Sequence, residues 1–80
     1  MRLPRDLSGS DLAQSLSKLG YLITSQTGSH LRLTTHEHGE HHLTIPLHSP
    51  LRIGTLSAIL ADVSTHFTLT REQLLDKLFA

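Results

Sequence analysis

Twice in succession polar and apolar residues alternate one for one: in His30-Leu31-Arg32-Leu33-Thr34-Thr35 and, after a polar break, in His41-His42-Leu43-Thr44-Ile45-Pro46. A period of two belongs to a β-strand, whose successive side chains point to opposite faces, and a helix cannot gather such a pattern on one side. Leu31, Leu33, Leu43 and Ile45 therefore face a core, while His30, Arg32, Thr34, His42 and Thr44 face away from it. The short loop His36-Glu37-His38-Gly39-Glu40 between these stretches forces them to run antiparallel. Upstream, Tyr21-Leu22-Ile23-Thr24-Ser25-Gln26 is rich in strand formers and leads into Thr27-Gly28-Ser29, where Gly28 supplies the positive φ of a tight reversal. The three segments predict one antiparallel meander.

The flanking segments carry the helical period instead. Ser8-Gly9-Ser10-Asp11 offers side-chain acceptors to the unpaired amides of a helix start, Leu12, Leu16 and Leu19 then recur at i, i+4 and i+7, and Gly20 stands where a left-handed residue ends a helix. Pro46-Leu47-His48-Ser49-Pro50 breaks the strand pattern, and from a start near Gly54 the residues Leu56, Ile59, Leu60 and Val63 mark a second amphipathic helix. A last helix opens on the capping pair Thr70 and Gln73 and carries Leu74, Leu75 and Leu78. Helix, three strands, helix, helix predicts an α+β fold with the helices on one face of the sheet and the other face open for binding. A chain of 80 residues is expected to form a single domain spanning 1–80.

With no cysteine in the chain, disulfides, thiolate catalysis and thiolate zinc sites are excluded, so any chemistry falls to histidines, carboxylates or hydroxyls. Lysine plus arginine and aspartate plus glutamate balance at 7 each, which leaves the chain without the basic excess of most nucleic-acid binders. The distinguishing count is 7 histidines, the side chain whose ordinary pKa of about 6.5 places its charge change near neutrality. No apolar run approaches the roughly 20 residues that span a bilayer, and the start Met1-Arg2-Leu3-Pro4-Arg5-Asp6 lacks the apolar centre of a secretion signal. A cytoplasmic protein without membrane association is expected.

In order along the chain, Leu3-Pro4-Arg5, Leu19-Gly20-Tyr21, Gly28-Ser29-His30, and Ile45-Pro46-Leu47-His48 running into Gly54-Thr55-Leu56 resemble the HicA (YcfA-type) toxin family, as does the ending Thr70-Arg71-Glu72-Gln73-Leu74-Leu75. The resemblance implies a double-stranded-RNA-binding-domain-like fold, α-β-β-β-α with an additional C-terminal helix. It also implies sequence-independent cleavage of mRNA without a metal or other cofactor, growth arrest, and neutralisation by a HicB-type antitoxin protein. The family's catalytic residue is the histidine of the Gly-Ser-His turn, here His30, and His48 stands at its Pro-x-His position. Where members often carry Lys or Arg before the glycine and after Pro-x-His, this chain has Ser25-Gln26-Thr27 and Ser49-Pro50, and against the family pattern the longer stretch Ser64-Thr65-His66-Phe67-Thr68 before the last helix looks like an insertion.

A ribonuclease that uses no metal can let the RNA 2′-hydroxyl attack the adjacent phosphorus, which calls for a base near neutrality and a cation for the developing charge. His30 suits the first task, and Arg32, two residues along the same strand face, suits the second. His48 is the candidate acid for the leaving oxygen, and Gly28, Ser29 and Arg52 are further candidates for RNA contact. An antitoxin is expected to cover the His30 face. Two alternatives stay open: a catalytically weak or inactive RNA-binding module of the same fold, and a metal site for zinc or nickel built from His36, His38, His41 and His42 with Glu37 and Glu40. His41 and His42 point to opposite faces, so at most three of those four histidines converge easily.

Overall fold

The computed structural model describes residues 3–80, so Met1 and Arg2 of the chain start discussed above lie outside the described residues. Helix α1 (Gly9–Leu16) begins where Ser8 and Asp11 satisfy each other: the Asp11 N–H donates to the Ser8 hydroxyl at 3.0 Å and the Ser8 N–H to the Asp11 carboxylate at 3.2 Å. The helix tightens into a 3₁₀ turn, Ser17–Leu19, and stops at Gly20, whose φ of +81° an L side chain rarely adopts. Three strands follow, β1 (Leu22–Thr27), β2 (His30–Thr35) and β3 (His41–Pro46), joined as an antiparallel meander in the order β1-β2-β3. Gly28, at φ +57°, makes the two-residue reversal between β1 and β2. Helices α2 (Ile53–Phe67) and α3 (Arg71–Phe79) complete the chain. The expected α+β arrangement, double-stranded-RNA-binding-domain-like with an extra C-terminal helix, is the one observed.

Register fixes which side of the sheet is buried. Leu31 pairs with Ile45 and Leu33 with Leu43, and all four are buried beneath Leu12 and Leu16 of α1, Leu56 and Leu60 of α2 and Leu74 of α3. The helices cover β2 and β3 and lie closest to β3, which leaves β1 as an edge strand exposed along its length; Leu22 and Ile23 remain 68% and 57% accessible. Between Ile23 and Ser25 the pairing slips by one residue, a bulge at Thr24 whose hydroxyl donates to the Arg32 carbonyl at 3.3 Å.

The stretch that looks like an insertion against the family pattern forms the last turn of α2 and its cap. Phe67 lies four residues beyond Val63 and continues its buried stripe, and Thr68 closes the helix in the left-handed region at φ +55°, its N–H reaching the Ser64 and Thr65 carbonyls. Helix α3 opens on the expected box, with the Gln73 N–H on the Thr70 hydroxyl at 3.1 Å and the Thr70 N–H on the Gln73 side chain at 2.9 Å. No described helix is long and apolar enough to cross a membrane.

Candidate functional site

The open face of the sheet is built in rows across the strands. His30 lies between Thr27 of β1 and Pro46 of β3, Arg32 between Ser25 and Thr44, and Thr34 between Leu22 and His42. Alternate residues of a strand are about 6.6–6.8 Å apart, so the rows form steps of that size. His30, Arg32 and His42 are exposed, no residue of the three strands is acidic, and no Phe, Tyr or Trp stands on this face.

At the end of the sheet nearest the Gly28-Ser29 turn, the chain leaving β3 is tied back to it: the Leu47 N–H donates to the Ser29 carbonyl at 2.6 Å. His30 and His48 each sit one residue beyond that bond. Leu47 turns onto the core and His48 is exposed. The His48 carbonyl in turn accepts the Gly9 N–H at 2.9 Å, and a Cβ on Gly9 would collide with the Pro46 carbonyl, so only glycine lets the start of α1 pack this closely. Gly28 itself faces open space. Thus Gly28, Ser29, His30 and Arg32 share one end of one sheet with the backbone of His48. Arg52 stands apart as the exposed residue preceding α2, where its carbonyl accepts the Leu56 N–H at 2.9 Å and no hydrogen bond links it to the turn.

The 7 histidines divide by whether their rings are already engaged. His42 takes the Thr34 hydroxyl on Nδ1 at 2.8 Å and reaches the Glu40 carboxylate through Nε2 at 2.9 Å, while His36 lies 3.7 Å from the same carboxylate. His38 packs edge-on against Phe67. His66 donates to the Glu37 carbonyl at 2.9 Å and stacks on His41 with ring centroids 4.4 Å apart. Only His30 and His48 form no side-chain hydrogen bond, ion pair or ring contact with another described residue. His36 and His42 thus share Glu40 while His38 and His41 engage other partners, and among the described residues no group of three or more His, Asp or Glu side chains is placed to hold a metal ion.

One polar cluster had no counterpart in the sequence reading. The Tyr21 hydroxyl lies 2.7 Å from His41 Nδ1, and His41 Nε2 lies 3.1 Å from the Asp62 carboxylate. The arrangement satisfies all three groups when the phenol donates to Nδ1 and Nε2–H donates to Asp62. Burial, reinforced by the Asp62 charge, pushes the Tyr21 phenol well above its ordinary range, so it holds its proton and is no nucleophile. His41's inward parity was readable from the alternation of β3, but Asp62 comes from α2 and no local pattern announces the pairing. On the open face, the hydrogen bond from His42 and then its charge, with a contribution from His36, hold the Glu40 carboxyl below its ordinary value.

No curated protein and no solved structure matches the chain. A family model described as the HicA toxin of bacterial toxin-antitoxin matches residues 9–64, from the first residue of α1 into the last turns of α2. The matched span is more than half of the 80-residue chain and contains the whole sheet, the Gly28-Ser29-His30 turn and His48. On that match the chain belongs to the HicA toxin family, the toxin side of a bacterial toxin-antitoxin pair.

Proposed function

We propose that this toxin is a metal-independent endoribonuclease acting on mRNA, with His30 and His48 exchanging the protons of the reaction. The observation that carries the reading is the division of the histidines: the two rings without partners flank the same Leu47–Ser29 hydrogen bond, beside the exposed Arg32. A ring nitrogen already bonded to a carboxylate or hydroxyl must break that bond before it can take a substrate proton, whereas a ring left open can approach the 2′-hydroxyl directly. His30 removes the proton of the 2′-hydroxyl as its oxygen attacks phosphorus. The bond to the 5′-oxygen breaks, and His48 gives that oxygen its proton, leaving a 2′,3′-cyclic phosphate and a 5′-hydroxyl. Arg32 holds the phosphate oxygens as charge builds on them, and the Gly28-Ser29 backbone lets the strand approach closely. Arg52, at the start of α2, makes a more distant phosphate contact.

The partner implied by the family is an antitoxin, and we assign it the HicB type, docking over the His30 face so that RNA is excluded. Wild-type chain expressed alone arrests growth and cuts RNA in vitro, and His30→Ala abolishes both while keeping the wild-type circular dichroism spectrum. Equal toxicity of the alanine variant removes His30 from the chemistry. Binding of RNA by the wild type without any cleavage favours the inactive binding module, a reading that the chain's net charge of zero and the single arginine on the open face keep in play.

A further inference from the structure

We infer that the open face carries a track for the backbone of single-stranded RNA, in which His42 is a phosphate-binding position two rows from His30 and Glu40 competes with the RNA for it. The inference rests on the ribonuclease reading for the end of the track at which the chain is cut.

The rows place His30, Arg32 and His42 in sequence along the β2–β3 pair, because Arg32 opposes Thr44 and His42 opposes Thr34. Two steps of about 6.6–6.8 Å separate the first row from the third, close to the spacing of successive phosphates on an extended strand. Flanking the track are the hydroxyls of Thr27, Ser25 and Thr44, which suit phosphate and ribose oxygens, together with the apolar Pro46 beside His30 and Leu22 beside Thr34. The large aromatic side chains of this chain, Tyr21, Phe67 and Phe79, all belong to the helical side, so the planar groups the open face offers to unpaired bases are the same His30, Arg32 and His42 that are its donors. A face whose donors stand at phosphate spacing and whose planar groups are those same donors grips the backbone ahead of the bases.

His42 is prepared for an anion. Thr34 holds Nδ1 and so fixes the ring, leaving Nε2 turned toward an anionic oxygen, that of Glu40 at 2.9 Å. Glu40 sits in the loop before β3, its side chain 60% accessible, and like any exposed glutamate it is ionised at neutrality. The carboxylate thus occupies the place a phosphate oxygen would take, on a side chain free to swing into solvent while the imidazole stays anchored.

The test uses uncleavable 2′-O-methyl oligonucleotides without terminal phosphates, from dinucleotide to hexanucleotide, with binding to the full chain read by fluorescence anisotropy. Wild-type affinity rises to the tetranucleotide, the first length with three phosphates, and then levels. His42→Gln weakens the tetranucleotide roughly three- to tenfold, as expected for loss of a charge-assisted hydrogen bond, and the loss shrinks as the oligonucleotide is shortened. Glu40→Gln tightens binding, increasingly with length. Thr34→Val, which frees the ring, reproduces the His42→Gln pattern in part and serves if His42→Gln fails to fold. Equal weakening at every length, no weakening at all, or weaker binding by Glu40→Gln overturns the track. Cleavage of natural RNA is scored separately. A chain that cuts but shows no length-dependent role for His42 keeps the nuclease and loses the track; one that shows the length dependence without cutting does the reverse.

Discussion

Replacing Tyr21 with Phe removes one hydroxyl from a site only 1% exposed, and the structure sets both the size of the effect and its dependence on pH. At neutral pH the variant leaves His41 Nδ1 without its partner at 2.7 Å. The His41 side chain keeps 18% of its surface, so water reaches part of it and the cost falls at the low end of an unsatisfied buried group, about 1 kcal/mol. Above pH 10 the balance changes. Burial, with Asp62 adding to it, raises the folded phenol above its ordinary value, so in that range the unfolded wild-type chain loses a proton that the folded chain retains. The unfolded state then binds fewer protons, and the wild type loses about 1.4 kcal/mol of stability per pH unit through this group. Phenylalanine carries no such proton. The advantage of the wild type is therefore full below pH 10 and disappears near pH 11, about one unit above the phenol's unfolded pKa. Urea unfolding followed by circular dichroism from pH 7 to 11 measures the difference, in which the lysines common to both chains cancel. Because Tyr21 is the one tyrosine of the chain, absorbance at alkaline pH also reports its ionisation alone. A stability difference that stays constant across this range refutes the reasoning, since the phenol would then titrate alike in both states.

Other consequences are independent of this group. Leu33→Ala opens a cavity at a fully buried position of the central strand, costs about 2–5 kcal/mol and lowers Tm by at least about 10 °C, as calorimetry would show. Gly20→Ala places a Cβ at φ +81° against the Thr35 hydroxyl and the Glu37 side chain, and costs about 1–2 kcal/mol or more by denaturant unfolding. The Glu40 carboxyl titrates by NMR below the ordinary glutamate range and moves upward in His42→Ala; the stabilisation it provides is present above the unfolded pKa near 4.5 and is lost as the pH falls through its folded value. RNA cleavage survives EDTA, and loss of cleavage that zinc restores would assign the chemistry to the histidine loop instead.

Local rules carried most of the fold. The capping pairs Ser8 with Asp11 and Thr70 with Gln73 act over three residues and Gly20 acts alone, so each was legible where it stood. The alternation of β3 and of β2 from His30 to Leu33 was legible because helices bury one face of each strand and leave the other to solvent; it fails at Thr34 and Thr35, both of which are buried. β1 is exposed along its length, so no such division acts on it, and the bulge at Thr24 left no trace in the pattern. The end of α2 was faint for a related reason: Ser64, Thr65 and His66 are polar, and the one residue that continues the helix stripe, Phe67, lies a full turn beyond Val63. For the site, parity set His30 and Arg32 on one face, but the approach of His48 depends on the Leu47–Ser29 bond between segments that are distant in sequence.

A chain with many histidines raises the question of which ones do chemistry and which hold the fold, and the second ring nitrogen offers a physical criterion. His41 has both nitrogens committed within the fold, to Tyr21 and Asp62, whereas His42 is anchored on one nitrogen by Thr34 and meets on the other only the exposed Glu40. Protonating or deprotonating His41 in a catalytic cycle would disturb contacts that join β3 to α2 and to the residue preceding β1. Every turnover would then strain the core of a domain whose total stability is only about 0.05–0.15 kcal/mol per residue. Placing the proton transfers on His30 and His48, at a sheet end whose geometry is fixed by backbone bonds alone, separates the two demands. It follows that substitutions at Tyr21, His41 or Asp62 lower the melting temperature in proportion to their effect on activity. Those at His30 or His48 remove activity and leave melting where it was, and a destabilised His30→Ala chain would show that the ring supports the fold after all.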